Sequence, residues 1–66
     1  MTTSLTSSTL GILEEKLEES IIELQEDIKK TVRSYGLTST RTIGKSKKLD
    51  KYIFELQLIK QLKKNL

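Results

Sequence analysis

The chain contains no cysteine and no histidine. Without these residues it can form no disulfide, and it lacks the thiolate and imidazole ligands of zinc sites. Cysteine or histidine nucleophiles and imidazole acid/base catalysis are excluded for the same reason. Any chemistry must therefore use carboxylate, hydroxyl, amide or amine groups.

Long apolar runs are also missing, since no stretch approaches the roughly 18 residues of a membrane span. The amino terminus lacks a basic segment followed by an apolar one, as a secretory signal would require. We therefore expect a cytoplasmic protein without a membrane segment. At 66 residues it is one small domain, and chains below roughly 70 to 80 residues seldom build a large core. Support from a partner or from self-association is expected.

The charges are divided unevenly along the chain. Residues 1–35 hold seven acidic and four basic side chains, whereas residues 36–66 hold two acidic and eight basic ones. This complementarity favours packing of the two halves side by side, although exposed ion pairs contribute only about 0 to 1 kcal/mol each. It argues against a nucleic-acid binder, because the basic residues face an acidic neighbour and lack interleaved aromatics.

The first half predicts one amphipathic helix after a Ser/Thr-rich tail. Residues 1–9 have little to bury and are expected to be flexible, which leaves residues 10–66 as the domain. Gly11 followed by Glu14 and Glu15 suits a helix start, and Gly36 suits its end. The apolar stripe at helical spacing consists of Leu10, Leu13, Leu17, Ile21, Leu24, Ile28, Val32 and Tyr35.

The second half predicts another helix over residues 39–64. Thr38, Ser39 and Thr40 are candidate N-caps, and a start near Gly44 is the alternative because glycine disfavours a helix interior. Two helices with a short loop predict an all-α antiparallel hairpin, either monomeric or dimerising into a four-helix bundle. The predicted centre comprises Leu17, Ile21, Leu24, Ile28, Leu49, Ile53 and Leu56.

The stretch KSKKLD at residues 45–50 places Ser46 and Asp50 four residues apart, and hence on one helix face. That face flanks the apolar stripe, and Ile43, Phe54 and Gln57 share it. An aspartate among lysines is most often solvated charge balance. An exposed Phe54 beside polar groups indicates either a docking surface or a dimer interface.

Residues 17–56 resemble the small aspartyl-phosphate phosphatases of the sporulation phosphorelay of bacilli. That family is a two-helix hairpin with an S-Q-E-L-D signature in its second helix, which here reads SKKLD at residues 46–50. The acidic first helix, the turn at residues 35–37 and Ile43 ahead of the signature also match. The chain departs from the family where Lys47 and Lys48 replace the glutamine and glutamate of the signature.

The resemblance implies docking on a phosphorylated response regulator, the sporulation transcription factor, and hydrolysis of its phosphoaspartate. The consequence would be negative regulation of sporulation. Asp50 is the implied catalytic residue, and it would orient the attacking water. Ser46 would steady that carboxylate or touch the partner. Lys47 would border the docking surface with Ile43, Phe54 and Gln57. The resemblance also implies that the chain would need no cofactor of its own, because the regulator would supply Mg²⁺.

Two other classes of function stay open from the residues. A non-catalytic helical module could bind a regulator or self-associate, and the two lysines in the signature favour this alternative. A binder of membrane surfaces or nucleic acid through the basic second half ranks third, and its affinity would fall steeply with salt.

Overall fold

A computed structural model describes residues 6–65, which fold into two α-helices and contain no strand. Helix α1 spans Ser7–Tyr35 and helix α2 spans Thr40–Lys64. Lys45 in the first turns of α2 reaches Asp27 in the last third of α1, whereas Lys63 at the end of α2 reaches Glu14. The helices are therefore antiparallel, and the predicted all-α hairpin is confirmed. Within residues 6–65 no helix is long and apolar enough to cross a bilayer.

Helix α1 begins earlier than the sequence predicts. Thr6 is its N-cap, and the Thr6 hydroxyl accepts a hydrogen bond of 3.1 Å from the backbone N–H of Thr9. The expected start at residue 10 was therefore wrong, since residues 7–9 are helical; the rest of the predicted tail, residues 1–5, lies outside the described residues. Leu10 is fully buried, which explains why the helix extends one turn ahead of it. Gly11 lies inside the helix, and the first turn holds no acidic residue.

The turn between the helices is set by Gly36 and Ser39. Gly36 has φ 86° and ψ 168°, a backbone region that essentially only glycine occupies. The Ser39 hydroxyl caps α2 by accepting from the backbone N–H of Thr42 at 3.2 Å, and the Thr42 hydroxyl donates to the carbonyl of Gly36 at 2.7 Å. The predicted cap at Ser39 is confirmed, and a helix start near Gly44 is excluded.

The hydrophobic core between the two helices is small. Among the described apolar side chains, only Leu10 and Ile21 are buried, while the other predicted central residues are partly buried, with one exception. Ile53 was predicted at the centre but is 36% exposed. The sequence places Ile53 about 40° away from Leu49 around α2. Helix α1 instead packs against the other side of Leu49, where Tyr52 and Ile59 are partly buried.

Two ion pairs join the helices at opposite ends. Near the turn, the Lys45 ammonium lies 2.8 Å from the Asp27 carboxylate and donates to the buried Thr31 hydroxyl at 2.9 Å. At the open end, the Lys63 ammonium lies 2.8 Å from the Glu14 carboxylate. Each pair joins a base of the second half to an acid of the first half. The expected electrostatic complementarity of the two halves is therefore present as direct contacts.

The two glycines of the second half predict opposite responses to alanine. Gly44 is exposed inside α2, and an added Cβ would meet no atom within 4 Å. Gly44→Ala should therefore raise the free energy of unfolding by up to about 1 kcal/mol. Gly36→Ala should lower it by about 1 to 3 kcal/mol, because of the positive φ. Urea unfolding measures both, and a loss of stability in Gly44→Ala would contradict the exposed helical placement of this glycine.

Candidate functional site

One side of α2 carries the residues that the sequence analysis singled out. Counted from Leu49 at about 100° per residue, Asp50 lies about 100° around the helix. The other four residues lie between about 60° and 140° from Leu49 in the same direction. We call this set the Asp50 face, and it consists of Ile43, Ser46, Asp50, Phe54 and Gln57. Except for the partly buried Ser46, all of them are exposed. A single rigid helix thus presents them together.

Asp50 presents its carboxylate to solvent. None of the three salt bridges within residues 6–65 involves it. No hydrogen bond in this part of the chain joins the Ser46 hydroxyl to the Asp50 carboxylate. The carboxylate is thus available as a hydrogen-bond acceptor for an incoming group. Ser46 lies one turn before it, where it can contact a docked molecule.

The two lysines of the SKKLD segment point to different sides of α2. Lys47 lies about 60° beyond Asp50 around the helix and is exposed, so it borders the Asp50 face. Lys48 lies on the opposite side, where its ammonium is 5.7 Å from the centre of the Tyr52 ring. Only Lys47 therefore changes the charge beside Asp50. This distinction follows from helix geometry and could have been drawn from the sequence.

Exposed apolar side chains share this side of the hairpin with the Asp50 carboxylate. Phe54 is 60% exposed, and Ile43 is also exposed. The ion pairs place residue 27 of α1 opposite residue 45 and residue 14 opposite residue 63, so that Ile22 lies near the level of Phe54. Ile22 is 59% exposed and lies on the same side of the hairpin as Asp50. The sequence analysis missed Ile22 as a neighbour because the alignment of the two helices was unknown.

The opposite side of the hairpin contains a groove with two sections. The first, of about 260 Å³, is lined by Leu13, Lys16, Leu17, Ser20, Glu55 and Ile59. The second, of about 240 Å³, is lined by Ser20, Glu23, Leu24, Asp27, Lys48 and Tyr52. Because Ser20 lines both sections, they are continuous along the helices. We call them together the lateral groove. It contains none of the residues predicted for the site.

No site for a metal ion is evident in the part of the chain that the structure describes. Within residues 6–65, no three acidic side chains are grouped closely enough to hold one. The Asp50 face instead combines one exposed carboxylate, an adjacent lysine and exposed apolar side chains. This combination suits a surface that docks on a protein and brings a single acceptor group to it.

Comparison with known proteins agrees with this arrangement. Residues 17–58 match the family model of Spo0E-like sporulation regulatory proteins. The match covers most of both helices, the turn between them and the whole Asp50 face. No match was found among curated proteins or among solved structures. Since the family match extends over more than half of the sequence, this chain belongs to the Spo0E-like sporulation regulatory protein family.

Proposed function

We propose that this protein docks its Asp50 face on a phosphorylated response regulator and promotes hydrolysis of the phosphoaspartate. The regulator would be a sporulation transcription factor, and loss of its phosphoryl group would restrain sporulation. The observation that carries the proposal is the exposed Asp50 carboxylate, which has no salt-bridge partner within residues 6–65. It lies on a rigid helix among exposed apolar side chains, within the segment that matches a family of sporulation regulators.

The proposed chemistry requires only one functional group from helix α2. Water attacks phosphorus, the bond from phosphorus to the regulator's aspartate oxygen breaks, and inorganic phosphate and a free carboxylate result. The regulator contributes its acidic pocket with Mg²⁺ and a lysine, which neutralise the charge of the phosphoryl group. Asp50 accepts a hydrogen bond from the water and holds it in line with the bond that breaks. An ionised carboxylate suits this positioning role, because its oxygens only accept hydrogen bonds.

Lys47 belongs to the docking surface in this proposal. Its ammonium group borders Asp50 and would meet the acidic rim of a regulator's phosphorylation site, where opposite charges favour encounter. Lys48 faces the lateral groove and lies near Tyr52. The departure at residue 48 therefore leaves the chemistry around Asp50 unchanged. The departure at residue 47 adds attraction for an acidic partner.

The test is to mix the protein with a panel of response regulators carrying labelled phosphoaspartate and to follow release of inorganic phosphate. We expect faster release from at least one sporulation-type regulator than in its absence. Binding of a regulator without faster release would overturn the catalytic proposal in favour of a purely blocking module. Lys47 favours this blocking alternative, because a cation beside Asp50 could bind the phosphoryl group and hold it in place without promoting its hydrolysis.

Phe54 should be the apolar anchor of the docking surface. It is 60% exposed, and truncation of an aromatic anchor at an interface commonly costs at least 1 to 2 kcal/mol. Phe54→Ala should therefore weaken regulator binding about tenfold, as measured by titration calorimetry, with unchanged helicity. Ile12→Ala is the matched control, because Ile12 is similarly exposed but lies on α1 away from the Asp50 face. Equal affinity of the two variants would remove Phe54 from the docking surface.

A further inference from the structure

The outer side of α2, which faces away from α1, carries apolar side chains that do not contribute to the core. Phe54, Leu58 and Leu62 follow one another at intervals of four residues, and they lie about 140° to 220° around the helix from Leu49. Leu58 is 44% exposed and Leu62 is 46% exposed. We call these three residues the outer ridge. Contiguous exposed apolar surface marks an interaction site, whereas single exposed apolar residues do not.

The outer ridge is continuous with the Asp50 face, since Phe54 belongs to both. At a rise of about 1.5 Å per residue along the helix axis, Leu58 lies about 12 Å and Leu62 about 18 Å from Asp50. A standard stable interface covers roughly 800 Å² of each partner, which corresponds to a radius of roughly 16 Å. A protein that docks on a patch of this size centred on Asp50 therefore covers Leu58 and reaches Leu62 at the edge of the contact.

The charges near the outer ridge indicate the kind of surface that would cover it. Lys47 and Lys51 are exposed on the outer side of α2, and neither takes part in a salt bridge within residues 6–65. Both lie closer to Asp50 along the helix than Leu58 and Leu62 do. The complementary surface is therefore acidic around the point that Asp50 meets and apolar beyond it. The acidic phosphorylation pocket of a response regulator supplies the first part of this pattern.

We propose that the outer ridge binds an apolar depression on the phosphorylated regulator, about 12 to 18 Å from its phosphoaspartate, and thereby sets the affinity for that regulator. This inference rests on the proposed function, because it assigns the same partner to a larger surface. Leu62 lies beyond residues 17–58, which match the family model, so this contact extends past the matched segment. Leu58 and Leu62 are too far from Asp50 to contact the reacting water. They should therefore affect KM and leave kcat unchanged.

Steady-state hydrolysis at increasing concentrations of the phosphorylated regulator separates KM from kcat. Leu58→Ala should raise KM about five- to tenfold, with kcat within about twofold of wild type. Leu62→Ala should raise KM about two- to threefold, because Leu62 lies at the edge of the contact. Leu13→Ala is the matched control, since Leu13 is also 44% exposed but lines the lateral groove. Its KM should equal that of wild type.

A conservative variant separates docking from folding. Leu58→Met keeps an apolar side chain of similar volume, so its KM should stay near the wild-type value. Circular dichroism should show equal helicity in all variants. An unchanged KM in Leu58→Ala, together with loss of hydrolysis in Asp50→Ala, would overturn the role of the outer ridge and leave the proposed function intact.

Two further measurements cover the remaining outcomes. If no regulator is hydrolysed, the proposed function fails, and titration calorimetry with the phosphorylated regulator decides the inference by itself. Weaker binding of Leu58→Ala than of Leu13→Ala would then support the outer ridge, whereas equal affinities or no binding by wild type would overturn it. Sedimentation equilibrium of the free protein tests a second copy of the chain as the occupant. Weaker self-association of Leu58→Ala with an unchanged KM would assign the ridge to that contact and overturn the proposal.

Discussion

Asp50→Ala should reduce the rate of phosphoaspartate hydrolysis by about 100-fold or more, because it removes the group that positions water. Asp50→Asn keeps the shape and one acceptor oxygen but removes the charge, so it should retain part of the activity. Single-turnover release of labelled phosphate from the regulator measures both rates. Because Asp50 is exposed and lacks a salt-bridge partner within residues 6–65, stability should change by less than about 0.5 kcal/mol.

Binding distinguishes this role from a structural one. A carboxylate close to a phosphoryl group experiences like-charge repulsion, so Asp50→Ala should bind the phosphorylated regulator as tightly as wild type or more tightly. Glu19→Gln is the control, since it removes a carboxylate from an exposed position on the side of α1 away from the Asp50 face and should leave hydrolysis unchanged. A wild-type rate in Asp50→Ala would end the catalytic assignment. An unfolded Asp50→Ala would show that the aspartate serves stability.

Ile21→Ala should lower the free energy of unfolding by about 2 to 5 kcal/mol, because it removes one of the few buried apolar side chains. A domain of this size has only a few kcal/mol to lose, so the variant should be partly unfolded at room temperature. Ile22→Ala is a closely matched control. The two isoleucines are neighbours in α1 but are 8% and 59% exposed, respectively.

Both substitutions change helix propensity equally, so that the difference between the variants isolates the effect of burial. Thermal unfolding followed by circular dichroism measures it, and Ile22→Ala should melt near the wild-type temperature. Similar melting of the two variants would mean that Ile21 does not face α2. Ile22→Ala should stay folded, so its affinity for the regulator can be compared with that of wild type. This comparison tests the docking surface, because Ile22 lies on the same side of the hairpin as Asp50.

The helices were predictable because their signals are local. Apolar spacing, the Ser39 cap and Gly36 each depend on a few neighbouring residues, and these predictions agree with the structure. The start of α1 was not predicted, because a run of serine and threonine resembles a flexible tail. The burial of Leu10 outweighs that composition. Ile53 was misplaced because the stripe of α2 is broad, and its pattern does not show which edge meets α1.

The candidate site was predictable only where one helix determines it. The Asp50 face follows from rotation along α2, so its five members could be grouped from the sequence. Ile22 and the lateral groove depend on how α1 is aligned with α2. That alignment is marked by contacts such as Lys45 with Asp27 and Lys63 with Glu14, and in sequence these are only four charges among many.

The two interhelical contacts also differ in how far apart their residues lie along the chain. The contact of Lys45 with Thr31 joins residues 14 positions apart, whereas that of Lys63 with Glu14 spans 49 positions. Closing the longer loop costs about 1 kcal/mol more in chain entropy, so contacts near the turn should form first during folding. The segment 46–50 follows Lys45 directly. Asp50 should therefore reach its final orientation before the contact between Lys63 and Glu14 at the open end of the hairpin has formed stably.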